Sequence, residues 1–212
     1  MLALLCIPQV LEPLRMTPKS ALAALLLLPS FSYAATVLAT PPELNNKSYV
    51  LMDYETGQIL ASKNENEKLA PASMTKMMTS FIIEQKLLKG ELTEDEQVRM
   101  NESAWCRGSS TESCMYVPLN GTATVLEMLR GIIVQSGNDA SKAMAEHIAG
   151  NEGTFVHMMN EEAKRIGMSN TQFMNSTGMP AEGHFSTAKD MATLAQHIIH
   201  DSSKYYPIYS EK

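Results

Sequence analysis

The sequence predicts an α+β domain in which a helical cluster packs on an antiparallel sheet. Three observations carry that expectation. Two short extended runs come first, five helical segments follow, and neither strand-helix-strand alternation nor an internal repeat interrupts the order. Two strands are too few to cover such a cluster, so later strands of the sheet are expected to be missing from these 212 residues.

The elements follow from the pattern in turn. Residues 48–53 and 58–63 are extended runs flanking Tyr54-Glu55-Thr56-Gly57, a hairpin in which Gly57 supplies a positive φ. From Ser73 the period changes: Met74, Met77, Met78, Phe81, Ile82, Gln85 and Leu88 recur at three and four, and Gly90 closes an amphipathic helix. Residues 126–134 form a second helix, apolar enough on most sides to be buried, which stops at Ser136-Gly137-Asn138. Asp139 begins a third that runs to about 148, residues 154–166 form a fourth ended by Gly167, and 187–200 form a fifth. The Thr187-x-x-Asp190 spacing predicts that this last helix is capped from both sides.

Composition sets the frame around these elements. With 44% hydrophobic and 19% charged residues, the chain is long enough for one sizeable core. A net charge of -6 and no run of basic residues exclude a binder of phosphate backbones, so no nucleic-acid partner is expected. Residues 1–34 read as an export signal: Lys19 gives a basic start, 21–28 an apolar stretch too short to span a bilayer, and Ser32-Tyr33-Ala34 a cleavage site after Ala34. Met16 is the better initiator. Residues 35–46 form a polar linker and 47–212 the domain proper. Cys6 leaves with the signal, and Cys106 and Cys114 then flank a loop rich in Gly, Ser and Thr. In an oxidising compartment they form a disulfide or stay as two thiols on a flexible loop; no His at ligand spacing supports zinc. The methionines recur at helical spacing as core filler rather than a copper site, and His197 and His200 read as surface residues rather than metal ligands.

The chemistry centres on Ser73-Met74-Thr75-Lys76. If Ser73 opens its helix, Lys76 lies one turn on and on the same face, where its amine can take the serine proton. Lysine serves as a base only when burial or positive neighbours depress its pKa. The free N–H groups of a helix's first turn also suit an oxyanion. The tetrapeptide is not specific, because Ser186-Thr187-Ala188-Lys189 repeats the spacing where capping explains it. Ser136-Gly137-Asn138, at an abrupt break between two helices, adds a hydroxyl and a carboxamide suited to proton relay and amide binding. That triplet is also weak alone, since Ser62-Lys63-Asn64 matches it inside a strand; the ordered combination is what discriminates.

Pro71-Ala72-Ser73-Met74-Thr75-Lys76-Met77-Met78-Thr79 and Gln135-Ser136-Gly137-Asn138-Asp139-Ala140 resemble the first two active-site motifs of serine-type D-alanyl-D-alanine carboxypeptidases, the low-molecular-mass penicillin-binding proteins. Residues 49–57 resemble their opening strand and turn, 185–192 a later helix start, and the likeness runs from 48 to 212. The resemblance implies a β-lactamase/transpeptidase-like fold and no cofactor or metal. It implies that Ser73 is acylated by the penultimate D-alanine of a peptidoglycan stem peptide, or by a β-lactam antibiotic, with Lys76 as base, Ser136 as proton relay and Asn138 holding a substrate amide. It also implies a periplasmic enzyme held to the inner-membrane surface by a C-terminal anchor. The family's third motif, Lys-Thr-Gly, does not occur in these 212 residues. Residues 47–212 therefore read as an incomplete, inactive part of the catalytic domain. Ser110 and Ser113 lie on the loop that borders the site in relatives, and they read as exposed loop serines more readily than as substrate contacts. A class A β-lactamase would need a glutamate within 169–177, which holds none, and favours Asp where Gly137 stands; a non-catalytic penicillin-binding scaffold is the third alternative.

Overall fold

The computed structural model describes residues 41, 43–108 and 112–212. The export signal expected at 1–34, Ser110 and most of the linker therefore lie outside the described residues. No helix among the described residues is long and apolar enough to cross a membrane.

Strands β1 (Tyr49–Met52) and β2 (Ile59–Lys63) pair antiparallel, with Tyr49 opposite Lys63 and a bulge between Leu51 and Met52. Gly57 turns the hairpin at φ 71°, as its position predicts. A 3-10 turn, Ala72–Met74, leads into helix α1, Thr75–Leu88. A second antiparallel pair follows, β3 (Gln97–Arg99) with β4 (Thr122–Thr124), which three-residue runs of polar sequence do not announce. The remaining helices are α2 (Val125–Ile133), α3 (Asn138–Ala149), α4 (Glu152–Arg165) and α5 (Ala188–Asp201), and a 3-10 turn, Tyr206–Ser210, comes last.

Helix α1 is the axis of the fold. Its Ile83 and Leu87 join a core with β3, α2 and α3, around Met128, Leu129 and Met144. Its Met78, Phe81 and Ile82 join a second core with α4 and α5, around Phe155, Met159 and Leu194. The methionines fill these cores as expected, although Met74, Met174 and Met179 are exposed.

Helix α1 departs from the expected exposure. Helix α1 is not amphipathic but buried on most sides, because Thr75, Thr79 and Ser80 are enclosed along with its apolar stripe. The Thr79 hydroxyl donates to the Ser176 carbonyl (2.7 Å) and Thr75 Oγ1 lies 2.8 Å from His184 Nε2, so these polar residues are matched by a neighbouring loop. Helix α2 is buried on most sides, as expected, with Glu127 and Arg130 in solvent, and it starts with a Thr124/Glu127 capping box.

At α5 the predicted two-sided cap is half made. Thr187 Oγ1 accepts from the Asp190 N–H (3.1 Å), but the Asp190 carboxylate accepts instead from Asn170 N (2.8 Å) and Thr171 Oγ1 (2.7 Å). Asp190 thereby ties the start of α5 to the loop after α4. The Ser186–Lys189 repeat is thus a helix start, with Thr187 as N-cap and Ser186 bridged to Leu69. His197 bonds Asp201 on its own helix, and His200 lies against the Tyr54 ring.

Candidate active site

Ser73 occupies the middle of the 3-10 turn, exposed, one turn ahead of Lys76. Lys76 follows in the first turn of α1, and both side chains line one cavity. Ala72 just before it has φ 48°, a strained left-handed conformation for a residue with a Cβ. The packing beside it is close. A Cβ added to Gly178 would lie 1.8 Å from the Ala72 carbonyl oxygen, so only glycine lets the loop at 175–184 press against the serine's turn. His184 and Ser176 tie the same loop to Thr75 and Thr79.

Lys76 is 4% exposed and its Nζ donates to the Thr177 carbonyl oxygen at 2.6 Å. Burial pulls its pKa down to about 8, while the negative charge of Glu112 acts in the opposite direction. The amine is therefore poised to shed its proton in mildly alkaline solution rather than above pH 10. Burial also lowers the pKa of His184, which is neutral at pH 7.

The second motif makes the opposite wall. Ser136 has φ 54°, and Gly137 caps α3 in extended conformation, so the chain turns sharply between α2 and α3. Gly137 is confined: a Cβ would meet Gly131 O and Asp139 Oδ1 at 3.1 Å. The buried Asp139 carboxylate accepts the N–H groups of Met115 and Tyr116, each at 2.8 Å, and Asn138 N donates to Ser113 O (2.8 Å). Cys106 and Cys114 form a disulfide that closes the loop being stitched down. Asn138, 5% exposed, points Nδ2 at Glu112 Oε2, 3.4 Å away.

The predicted residues converge. Ser73, Lys76 and Ser136 line one cavity of about 320 Å³, with Ser80 and Tyr209 beneath them. Ser73 and Asn138 also line an adjoining cleft of about 450 Å³ whose far wall is Thr177, Gly178 and Met179. Ser113 reaches this cleft and donates to Gln135 O, while Ser110 lies outside the described residues.

The chain is matched over residues 35–212 by the family described as D-alanyl-D-alanine carboxypeptidase. It belongs to that family. Among curated relatives, the D-alanyl-D-alanine carboxypeptidase DacA of Haemophilus influenzae is 41% identical over 201 residues, covering 93% of this chain and 51% of the relative. DacF of Bacillus subtilis is 48% identical over 153 residues, 72% of this chain and 39% of the relative. The crystal structure of penicillin binding protein 5 from H. influenzae superimposes with a TM-score of 0.80 at 43% identity, covering 82% of this chain and 51% of that one. The chain spans about half the length of the curated relatives it matches. Its fold is thus that of the penicillin-binding carboxypeptidases, including the helical cluster expected from the sequence.

Several residues of this candidate site escaped sequence reasoning. Thr177, Gly178 and His184 sit far along the chain, and their only local signal is the turn chemistry of Asn175-Ser176-Thr177-Gly178, where Asn175 Oδ1 accepts from Gly178 N at 2.7 Å. Asp139 had the better signal: an acidic residue at a helix start beside a glycine. Glu112 had none.

Proposed function

We propose that this chain carries the acylating part of a serine D-Ala-D-Ala carboxypeptidase that removes the terminal D-alanine from peptidoglycan stem peptides and is also acylated by β-lactams. Lys76, as neutral amine, takes the Ser73 Oγ proton while Oγ attacks the penultimate D-alanine carbonyl. Ser136 relays a proton to the departing D-alanine nitrogen, and the ester on Ser73 is then hydrolysed. The Asn138 amide faces Glu112 with its nitrogen, which leaves Oδ1 to accept an N–H of the substrate backbone. The Met74 N–H is engaged with Pro71 O and the Thr75 N–H with Ala72 and Ser73, so the Ser73 N–H is the donor the turn offers to an oxyanion.

The single observation that carries this function is the shared cavity of Ser73, Lys76 and Ser136 around a buried lysine whose pKa is pulled down to about 8. The 212 residues hold no Lys-Thr-Gly, the family's source of a second oxyanion donor and of a cation for the substrate carboxylate. A missing oxyanion donor costs ~100-fold or more in rate, so turnover is assigned to the full-length gene product and not to these residues alone. Residues 1–34 serve as export signal, the enzyme works in the periplasm, and a membrane anchor outside these residues holds it to the inner membrane.

A fluorescent penicillin tests the proposal. The full-length product should form a stable adduct that Ser73→Ala abolishes and Lys76→Ala slows at least ~100-fold. An adduct that survives Ser73→Ala, or rapid release of hydrolysed drug, would overturn it.

A further inference from the structure

The cleft beside Ser73 carries one formal charge on its described walls at neutral pH, the carboxylate of Glu112. This group is held in place from two directions. The Cys106–Cys114 disulfide closes the loop that bears it, and Asp139 and Asn138 bind the backbone of residues 113–116 on the far side. Its Oε2 lies 3.4 Å from Asn138 Nδ2, next to the amide assigned to substrate binding, and it remains partly open to the cleft.

We infer that Glu112 is a specificity-determining residue that recognises a protonated amine on the acyl-donor part of the substrate. The inference rests on the carboxypeptidase function proposed above. A D-Ala-D-Ala peptide ends in a carboxylate on its leaving residue, which a fixed negative wall repels. Glu112 must therefore face the other part of the peptide, the donor, and there a carboxylate in a half-desolvated cleft selects a cationic side chain over a neutral or acidic one. Lys76 feels the charge of Glu112, but its Nζ is turned to Thr177 O and it lines the adjoining cavity. Asn138 links the two effects: an amine bound to Glu112 sits beside the amide that holds the peptide backbone, so charge recognition also sets the register of the scissile bond. The disulfide keeps the glutamate there, which gives an oxidised loop a role in substrate choice.

The test compares two acyl donors in the full-length product, Nα-acetyl-Lys-D-Ala-D-Ala with a free side-chain amine and its Nε-acetylated form. Glu112→Gln keeps an oxygen for Asn138 and removes the charge. It should lower kcat/KM for the free-amine peptide about 5- to 10-fold and change the acetylated one less than about twofold. Glu112→Lys should reverse the preference. Equal effects on both peptides, or none, would overturn the inference. Peptide affinity measured by calorimetry in a Ser73→Ala background, with and without Glu112→Gln, reads the same preference without turnover. Loss of penicillin labelling together with an intact charge preference in binding would then count against the proposed reaction and not against Glu112.

Discussion

Glu84 offers a sharp test of the packing around α1. It is wholly buried in the middle of that helix, with Tyr209 donating to its Oε1 at 3.0 Å and no hydrogen-bond partner for Oε2. Burial pushes its pKa up to about 7 from an ordinary 4.5, against the smaller pull of the Ser202 and Tyr209 hydroxyls. The sign follows from which state keeps the proton. Below pH 4.5 both folded and unfolded chains hold it, and nothing is lost. Between 4.5 and 7 the unfolded chain ionises while the folded one does not, so stability falls as pH rises; above 7 the full cost is in place. That interval corresponds to about 3 kcal/mol. Glu84→Gln keeps an acceptor for Tyr209 and adds a cost for its buried amide that does not vary with pH. The stability of Glu84→Gln minus that of wild type should therefore be about 3 kcal/mol more favourable at pH 8 than at pH 4.5, a change of roughly 6–12 °C in Tm. Urea unfolding of both proteins at the two pH values measures it. A difference between the proteins that stays constant to within about 0.5 kcal/mol would refute burial as the cause of the shift.

Two further outcomes follow from the active-site geometry. Gly178→Ala puts a Cβ against the Ala72 carbonyl in a conformation with φ 87°, so it should destabilise by about 2–4 kcal/mol in thermal unfolding and slow penicillin acylation of Ser73; a variant with wild-type Tm and acylation rate would contradict the contact. In the full-length product, the rate of acylation should rise with pH through about 8 as Lys76 loses its proton, and be about tenfold lower at pH 7 than on the plateau. A flat profile from pH 6 to 9 would remove Lys76 as the base.

The hairpin and the five helices were legible because their signals are local. Gly57 at a turn, Gly167 and Thr187 at helix ends, and the apolar recurrence from 73 to 88 each depend on neighbours a few residues away. The burial of α1 was not, because periodicity reports which residues are apolar and not which polar ones find partners. Thr75 and Thr79 look like a solvent face until the loop from 175 to 184 folds over them. Asp190 likewise met the rule for a cap from both sides, yet its carboxylate serves a turn some twenty residues upstream.

The sequence alone determined the first hairpin, the order of the five helices and the family, and it singled out Ser73, Lys76 and Ser136 as candidates, since spacing along a helix and breaks between helices are written in consecutive residues. Only the tertiary structure decided that Lys76 is buried and its pKa lowered, that Gly178 presses against the strained turn before Ser73, and that Glu112 and Asn138 share a cleft. Desolvation, close approach and charge proximity depend on segments distant in the chain, and these are brought together only when the two cores close around α1.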